Sequence, residues 1–173
     1  NIEKNITLNQ IERFFLARML FPHIDSADYV ELVTTNKGDS SQIDLVLQTE
    51  CTNGKIYRIR PPFLPKEIAQ FHSLLSESSL SVTFSAKHEF LFAFNSRNRL
   101  AGGLYWKTVD KNRIHLEWVV IQKKYQKIDL SKRLLSELYK RIKHRGFSAI
   151  TVGFYAQKFF SKQGFVINKQ FGG

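Results

Sequence analysis

The chain has a single cysteine, Cys51, in 173 residues. That excludes an intrachain disulfide, makes a zinc cluster implausible and suggests a reducing, cytoplasmic setting. Five histidines (His23, His72, His88, His115, His144) are scattered without metal-ligand spacing. A Gly-x-Ser-x-Gly elbow and a P-loop are both missing, which argues against those two classes of hydrolase and nucleotide-binding site. No apolar run reaches the roughly 20 residues of a membrane-crossing helix, and no basic-then-apolar leader pattern opens the chain. The first residue is Asn1 rather than Met, as expected of an excised or incomplete chain. Carboxylates are scarce in one half only. Residues 1–96 carry nine Lys/Arg against eleven Asp/Glu, whereas residues 97–173 carry seventeen against four. The net charge of +11 therefore lies wholly in the C-terminal half. Such a field attracts polyanions, among them nucleic acid, a membrane surface or a phosphorylated cofactor, and it is equally what a solvated basic face looks like.

What the chain does have is core-forming material. Apolar residues make up 43% of it, with fifteen Phe, six Tyr and two Trp, and charged residues 24%. This is enough for one soluble domain, or one domain with a small extension.

Thr7 and Gln10 form a capping-box pair opening an amphipathic stretch (Leu8, Ile11, Phe15, Met19) that Pro22 ends. Residues 29–34 and 42–48 read as strands of a hairpin, and Asn53-Gly54 turns into a strand over 56–60. Pro61-Pro62 stops it. Pro65 then suits the first position of a helix whose stripe is Ile68, Phe71, Leu74 and Leu75. Strands follow over 89–94, 100–106 and 113–121. The period then changes to Leu130, Leu134, Leu138, Ile142, predicting a helix capped by Asp129 and stopped at Gly146. A strand over 148–152, a short helix near 157–163 and a strand over 164–168 complete the series. The fold class is α+β, with a mostly antiparallel mixed sheet flanked by helices. An internal seam falls near Cys51–Gly54, between an extension (1–54) of helix plus hairpin and a main domain (55–173).

From Ile56 onward this order, together with two segments, resembles the GNAT N-acetyltransferase superfamily. One segment is Val119-Val-Ile-Gln-Lys-Lys-Tyr-Gln-Lys-Ile-Asp-Leu-Ser131, similar to the family's strand and Gln/Arg-x-x-Gly-x-Gly/Ala loop before a long helix. The other is Ala156-Gln-Lys-Phe159-Phe160-Ser-Lys-Gln-Gly164-Phe165, similar to the family's Ala-x-x-Phe-Tyr-x-x-x-Gly-Phe. The resemblance implies that acetyl-CoA is the acyl donor. The backbone of Val119, Val120 and Ile121 would meet its pantetheine arm, and Lys124, Gln126, Lys127, Ile128, Asp129, Leu130 and Ser131 would surround its pyrophosphate, with Phe159 in the final helix. A helix N-terminus suits phosphate, because its first N–H groups lack partners. Asp129 and Ser131 stand where the family has small residues, and a carboxylate that capped the helix would compete with phosphate for those N–H groups.

For chemistry the resemblance points to a base on strand 113–121. Strict alternation puts His115, Glu117, Val119 and Ile121 on one face and Ile114, Leu116, Trp118 and Val120 on the other. Glu117 is the first candidate base and His115, roughly 7 Å away by strand geometry, the second. The plainer reading is an ion-paired strand carboxylate and a surface His. The family's acid, a tyrosine, is replaced here by Phe160, and Tyr155 is the nearest hydroxyl in sequence. The expected function is acyl-CoA-dependent acylation of an amine on a small molecule or protein, without metal or membrane. The alternative is a GNAT-like domain without turnover that senses a ligand or a partner. A nucleic-acid binder would need a reading motif that the chain lacks.

Overall fold

A computed structural model describes residues 29–37 and 40–152, with side chains from residue 46 onward. The expected helix over 8–19, the expected elements over 157–168, and Tyr155, Phe159 and Phe160 lie outside the described residues. One seven-stranded sheet runs in chain order. Its strands are β1 (Tyr29–Lys37), β2 (Ser40–Glu50), β3 (Ile56–Arg60), β4 (His88–Phe94), β5 (Leu100–Thr108), β6 (Arg113–Ile121) and β7 (Ala149–Val152). Neighbours are antiparallel up to β6, with short turns joining β2 to β3, β4 to β5 and β5 to β6, and the helix Pro65–Glu77 lying between β3 and β4. β7 alone is parallel to its neighbour. A parallel pair needs a crossover, and the helix Leu130–His144 supplies it. The Cys51–Gly54 seam is the tight turn between β2 and β3, with Gly54 at φ +76°.

Two helices cover the two faces. α1 (Pro65–Glu77) lays Phe71 against Phe92 and Tyr105, with ring centroids 4.8 and 5.9 Å apart. α2 (Leu130–His144) buries Leu130, Leu134, Leu135, Leu138 and Ile142 against Leu91, Leu104, Ile114 and Leu116. Strands covered on both sides read as unbroken apolar runs, as Leu91-Phe-Ala-Phe94 does. Gly103 makes α1's approach possible, since a Cβ there would sit 2.5 Å from the Phe92 ring and 3.0 Å from Phe71. α2 ends as the sequence indicates. Gly146 takes φ +93°, its N–H reaches the Lys143 carbonyl, and the Phe147 N–H reaches that of Ile142.

Between β3 and α1 lies a buried ion pair. Arg60 donates to Glu67 twice, at 3.1 and 2.8 Å, and its guanidinium is sandwiched between the Phe63 and Phe94 rings at 3.8 and 3.9 Å. Glu67 also accepts from the N–H groups of Phe63 and Leu64, at 2.7 and 3.2 Å, so it holds the start of α1. Burial alone would raise its pKa. The Arg60 hydrogen bonds and the backbone donors outweigh that and hold it below the usual carboxylate value.

Cys51 is buried in the β2–β3 turn. Burial pushes its thiol up to about 11, helped by the neighbouring Asp129 carboxylate and opposed by Arg133. A pKa raised in the folded state means that stability is complete below the unfolded value and is lost as pH rises through the folded one. Stability, and with it the melting temperature, is therefore expected to fall between about pH 9 and 11, this group contributing at most about 3 kcal/mol. Cys51→Ala should flatten that part of a melting-temperature–pH series. A decline of the same slope in the variant would assign it elsewhere.

Candidate active site

Two antiparallel registers and the parallel β6–β7 register place four polar residues side by side across the strands. His88 of β4 faces Lys107 of β5, which faces His115 of β6, which faces Thr151 of β7. The result is a polar row across the α1-side face of the sheet, beyond the aromatic cluster of Phe84, Phe90 and Tyr105.

Glu117 joins this row through a β-bulge. Tyr105 pairs with Trp118 and Trp106 with Leu116, so Glu117 is an extra residue in β6 with no opposite number. Its carboxylate lies 3.4 Å from Lys107 Nζ and 3.7 Å from His88 Nε2, about a quarter exposed. The bulge corrects the strict alternation expected from sequence. Ile114, Leu116, Val119 and Ile121 pack on the α2 side, while Trp118 and Val120 pack with α1. An inserted residue flips every side chain after it. Beyond the bulge, Val119, Val120 and Ile121 pair with Leu104, Gly103 and Gly102, which leaves their other edge turned away from β5.

His115 Nδ1 is 2.8 Å from Thr151 Oγ1. Burial holds its imidazole below the usual histidine pKa. Glu117 works against that and Lys107 with it, so the ring is neutral at pH 7. Tyr105, edge-on to His88 at 5.1 Å, is pushed up to about 12 by burial and by the Glu117 charge, and stays a neutral phenol. The row thus offers one carboxylate, one ammonium and a neutral imidazole around a half-open point of the sheet. That set can take a proton from an amine and hold the product's charge.

The second part of the site follows β6. A 3₁₀ turn at Lys123–Tyr125 leads to Gln126, whose side-chain amide bonds the Ile121 carbonyl at 3.0 Å and closes the loop on the strand. Lys127 and Asp129 both take left-handed backbone, φ +63° and +60°. At Asp129 this explains a small residue in the family pattern, since glycine adopts that conformation freely and Asp is one of the few other residues that tolerates it.

Asp129 occupies the N-cap position of α2 but does not cap it, contrary to the sequence expectation. A side-chain cap requires extended backbone at that residue, which the left-handed turn denies. Its carboxylate accepts instead from Thr52 N–H at 3.3 Å and from Arg133 Nε at 3.1 Å, while Arg133 also donates to Thr49 Oγ1 at 3.1 Å. The charge is thus paired and the first N–H groups of α2 are not used by this carboxylate. Beside them is a hollow of about 310 Å³ whose lining includes Ile121, Gln126, Lys127, Ser131 and Lys132. Lys124 borders the opposite side of the loop, and Ile128 packs on the core.

Sequence reasoning singled out Glu117, His115 and the loop but missed His88, Lys107 and Thr151 as a row, Thr52 and Arg133 as partners of Asp129, and Thr49 as a further partner of Arg133. Only cross-strand register could have found the row. Among the described residues no group of three His, Cys, Asp or Glu could hold a metal.

The family model for the acetyltransferase (GNAT) domain matches residues 59–170. No curated protein matches by sequence. Among solved structures, a GNAT-family acetyltransferase from Staphylococcus aureus superposes with a TM-score of 0.55 at 19% identity, covering 66% of this chain and 88% of that one. An acetyltransferase from Trypanosoma brucei gives 0.54 at 16%, covering 65% and 94%. An aminoglycoside acetyltransferase from an uncultured soil sample gives 0.54 at 16%, covering 65% and 90%. At such identities these likenesses speak for the fold.

Proposed function

The chain belongs to the GNAT acetyltransferase family, and from that premise we propose that it acylates a primary amine with acetyl-CoA, residues 55–173 forming the catalytic unit and 1–54 an extension packed on it. The observation that carries this is Glu117 on its bulge, where the polar row meets the strand that leads into the α2 hollow. When bound, acetyl-CoA supplies the activated acyl group, which the amine attacks directly. The residues around the α2 hollow fit a pyrophosphate. The helix N-terminus faces it, Lys127 and Lys132 line it, and Arg133 neutralises the one nearby carboxylate. Val119, Val120 and Ile121 offer the strand edge away from β5 to the pantetheine arm. Glu117 takes the proton of the incoming ammonium, directly or through water, while Lys107 and His88 hold its carboxylate in place. His115, neutral and tied to Thr151, is the reserve acceptor. Tyr155, the nearest hydroxyl to the family's acid position, is assigned to protonate the leaving thiolate.

The test is thermal melting of the full chain with acetyl-CoA. At a concentration about 100-fold above Kd, a ligand of the folded state adds about 2.7 kcal/mol, which is about 5–10 °C for a chain of this size. No shift at millimolar acetyl-CoA would overturn the assignment. A second reading, a ligand-sensing module without turnover, is favoured by Phe160 at the acid's position. Both readings predict the melting shift. Only the first predicts thiol release when amines are added.

A further inference from the structure

A larger hollow, of about 660 Å³, lies on the opposite side of the Lys123–Tyr125 turn, and the chemistry above makes no use of it. Its walls are the start of β3, the β4–β5 turn and the 3₁₀ turn. They bring together Lys55, Arg97, Arg99 and Lys124 around Tyr57 and Tyr125. No carboxylate lines it, and among the described residues none of these four cations is in a salt bridge. Gathering four like charges in one concavity without an acidic partner costs free energy through mutual repulsion. A bound polyanion relieves that cost.

The walls are also built. Asn95 Oδ1 accepts from the backbone N–H groups of Arg97 and Arg99, each at 3.0 Å, which shapes the turn that carries both guanidinium groups. Asn95 Nδ2 donates to the Tyr125 hydroxyl at 2.8 Å and Asn53 Nδ2 to the Tyr57 hydroxyl at 3.1 Å. The two tyrosine rings meet edge to face at 5.9 Å, and Lys124 Nζ stands 5.2 Å from the Tyr125 ring.

We propose that this hollow binds a phosphate-bearing small molecule of nucleotide size, at a site separate from the one assigned to acetyl-CoA. Paired arginines suit phosphate, whose oxygens match the guanidinium fork. Four cations match the charge of a di- or triphosphate. The volume falls among small-molecule sites, roughly 300–1,000 Å³, and the charge is gathered in one concavity, which favours a compact ligand over a nucleic-acid strand. Tyr125 lines both hollows, so the two sites stand back to back across one loop. The inference does not depend on the acyl-CoA reading.

The experiment is calorimetric titration of the full chain with inorganic tripolyphosphate at low salt, repeated with saturating acetyl-CoA. Binding is expected, and Arg97→Gln/Arg99→Gln should weaken it about tenfold or more. Lys111→Gln, exposed in the β5–β6 turn and outside both hollows, should leave it unchanged. Both arginines are exposed, so the variant should fold. Should its melting temperature drop, Lys55→Gln in the separate β2–β3 turn must give a loss of the same kind. Absence of binding once acetyl-CoA saturates the other hollow, or equal affinity in the Arg97/Arg99 variant under that condition, would overturn the proposal. So would a single-stranded oligonucleotide that binds more tightly than tripolyphosphate through the same arginines, which would reassign the surface to nucleic acid.

Discussion

Glu117→Gln is expected to lower kcat and kcat/KM for amine acetylation together, by about 10²- to 10⁴-fold, the range that a positioned general base supplies. The substitution keeps the shape of the side chain and its reach toward Lys107 and His88, and it removes the negative charge together with the ability to accept a proton. Loss of the partly exposed pair with Lys107 should cost at most about 1 kcal/mol, and the shift produced by acetyl-CoA should stay as in the parent chain. That pattern separates a catalytic carboxylate from one that only balances Lys107. A carboxylate with a purely structural role would lower stability and leave turnover almost intact. His115→Asn is the internal comparison. A neutral imidazole 2.8 Å from Thr151 could also accept the proton. Were its loss larger than that of Glu117→Gln, the base would be His115.

The largest effect on stability is expected from Glu67→Ala, at about 3–5 kcal/mol, the usual result of removing one partner of a buried pair. Arg60 would be left nearly enclosed between Phe63 and Phe94 with its charge uncompensated, and the N–H groups of Phe63 and Leu64 would lose their acceptor. For 173 residues that is a fall in melting temperature of about 10 °C. The double replacement Arg60→Met/Glu67→Leu should recover most of it, since an apolar pair of similar volume carries no desolvation penalty. A single-variant loss under about 1 kcal/mol would show that water reaches the pair and that α1 is anchored by Phe71 instead. The lowered carboxyl pKa gives the same result a pH dependence. A group depressed in the folded state stabilises above its unfolded pKa, and that contribution disappears as pH falls through the folded value.

Much of the fold was legible in the residues because local periodicity and turn chemistry act locally. The Leu130–Ile142 repeat, the Gly146 stop and the strand 113–121 all depend on neighbours within a few positions. The structure extends four of the expected strands by a residue or more, since ladder hydrogen bonds continue into polar ends that carry no periodicity signal, as in Tyr29–Lys37 and Leu100–Thr108. What was not legible depends on pairs distant in sequence. The Glu117 bulge exists only as a count of β6 against β5. The polar row exists only once three registers are set. Asp129 was expected to cap α2 because its residue type and place fit the rule. The backbone there is left-handed, and its actual partners include Thr52, 77 residues away.

The Asp129 contacts couple the loop to the β2–β3 turn. The left-handed position that glycine fills in the family loop is here filled by a side chain whose charge is absorbed by Arg133 and by the Thr49–Thr52 turn. These residues form an epistatic unit. Loss of Arg133 would strand the carboxylate beside the proposed phosphate position, whereas Asp129→Gly would release Arg133 and the turn to drift. The β2–β3 turn is therefore a permissive element, one that lets the loop depart from the family consensus while the helix N-terminus stays open.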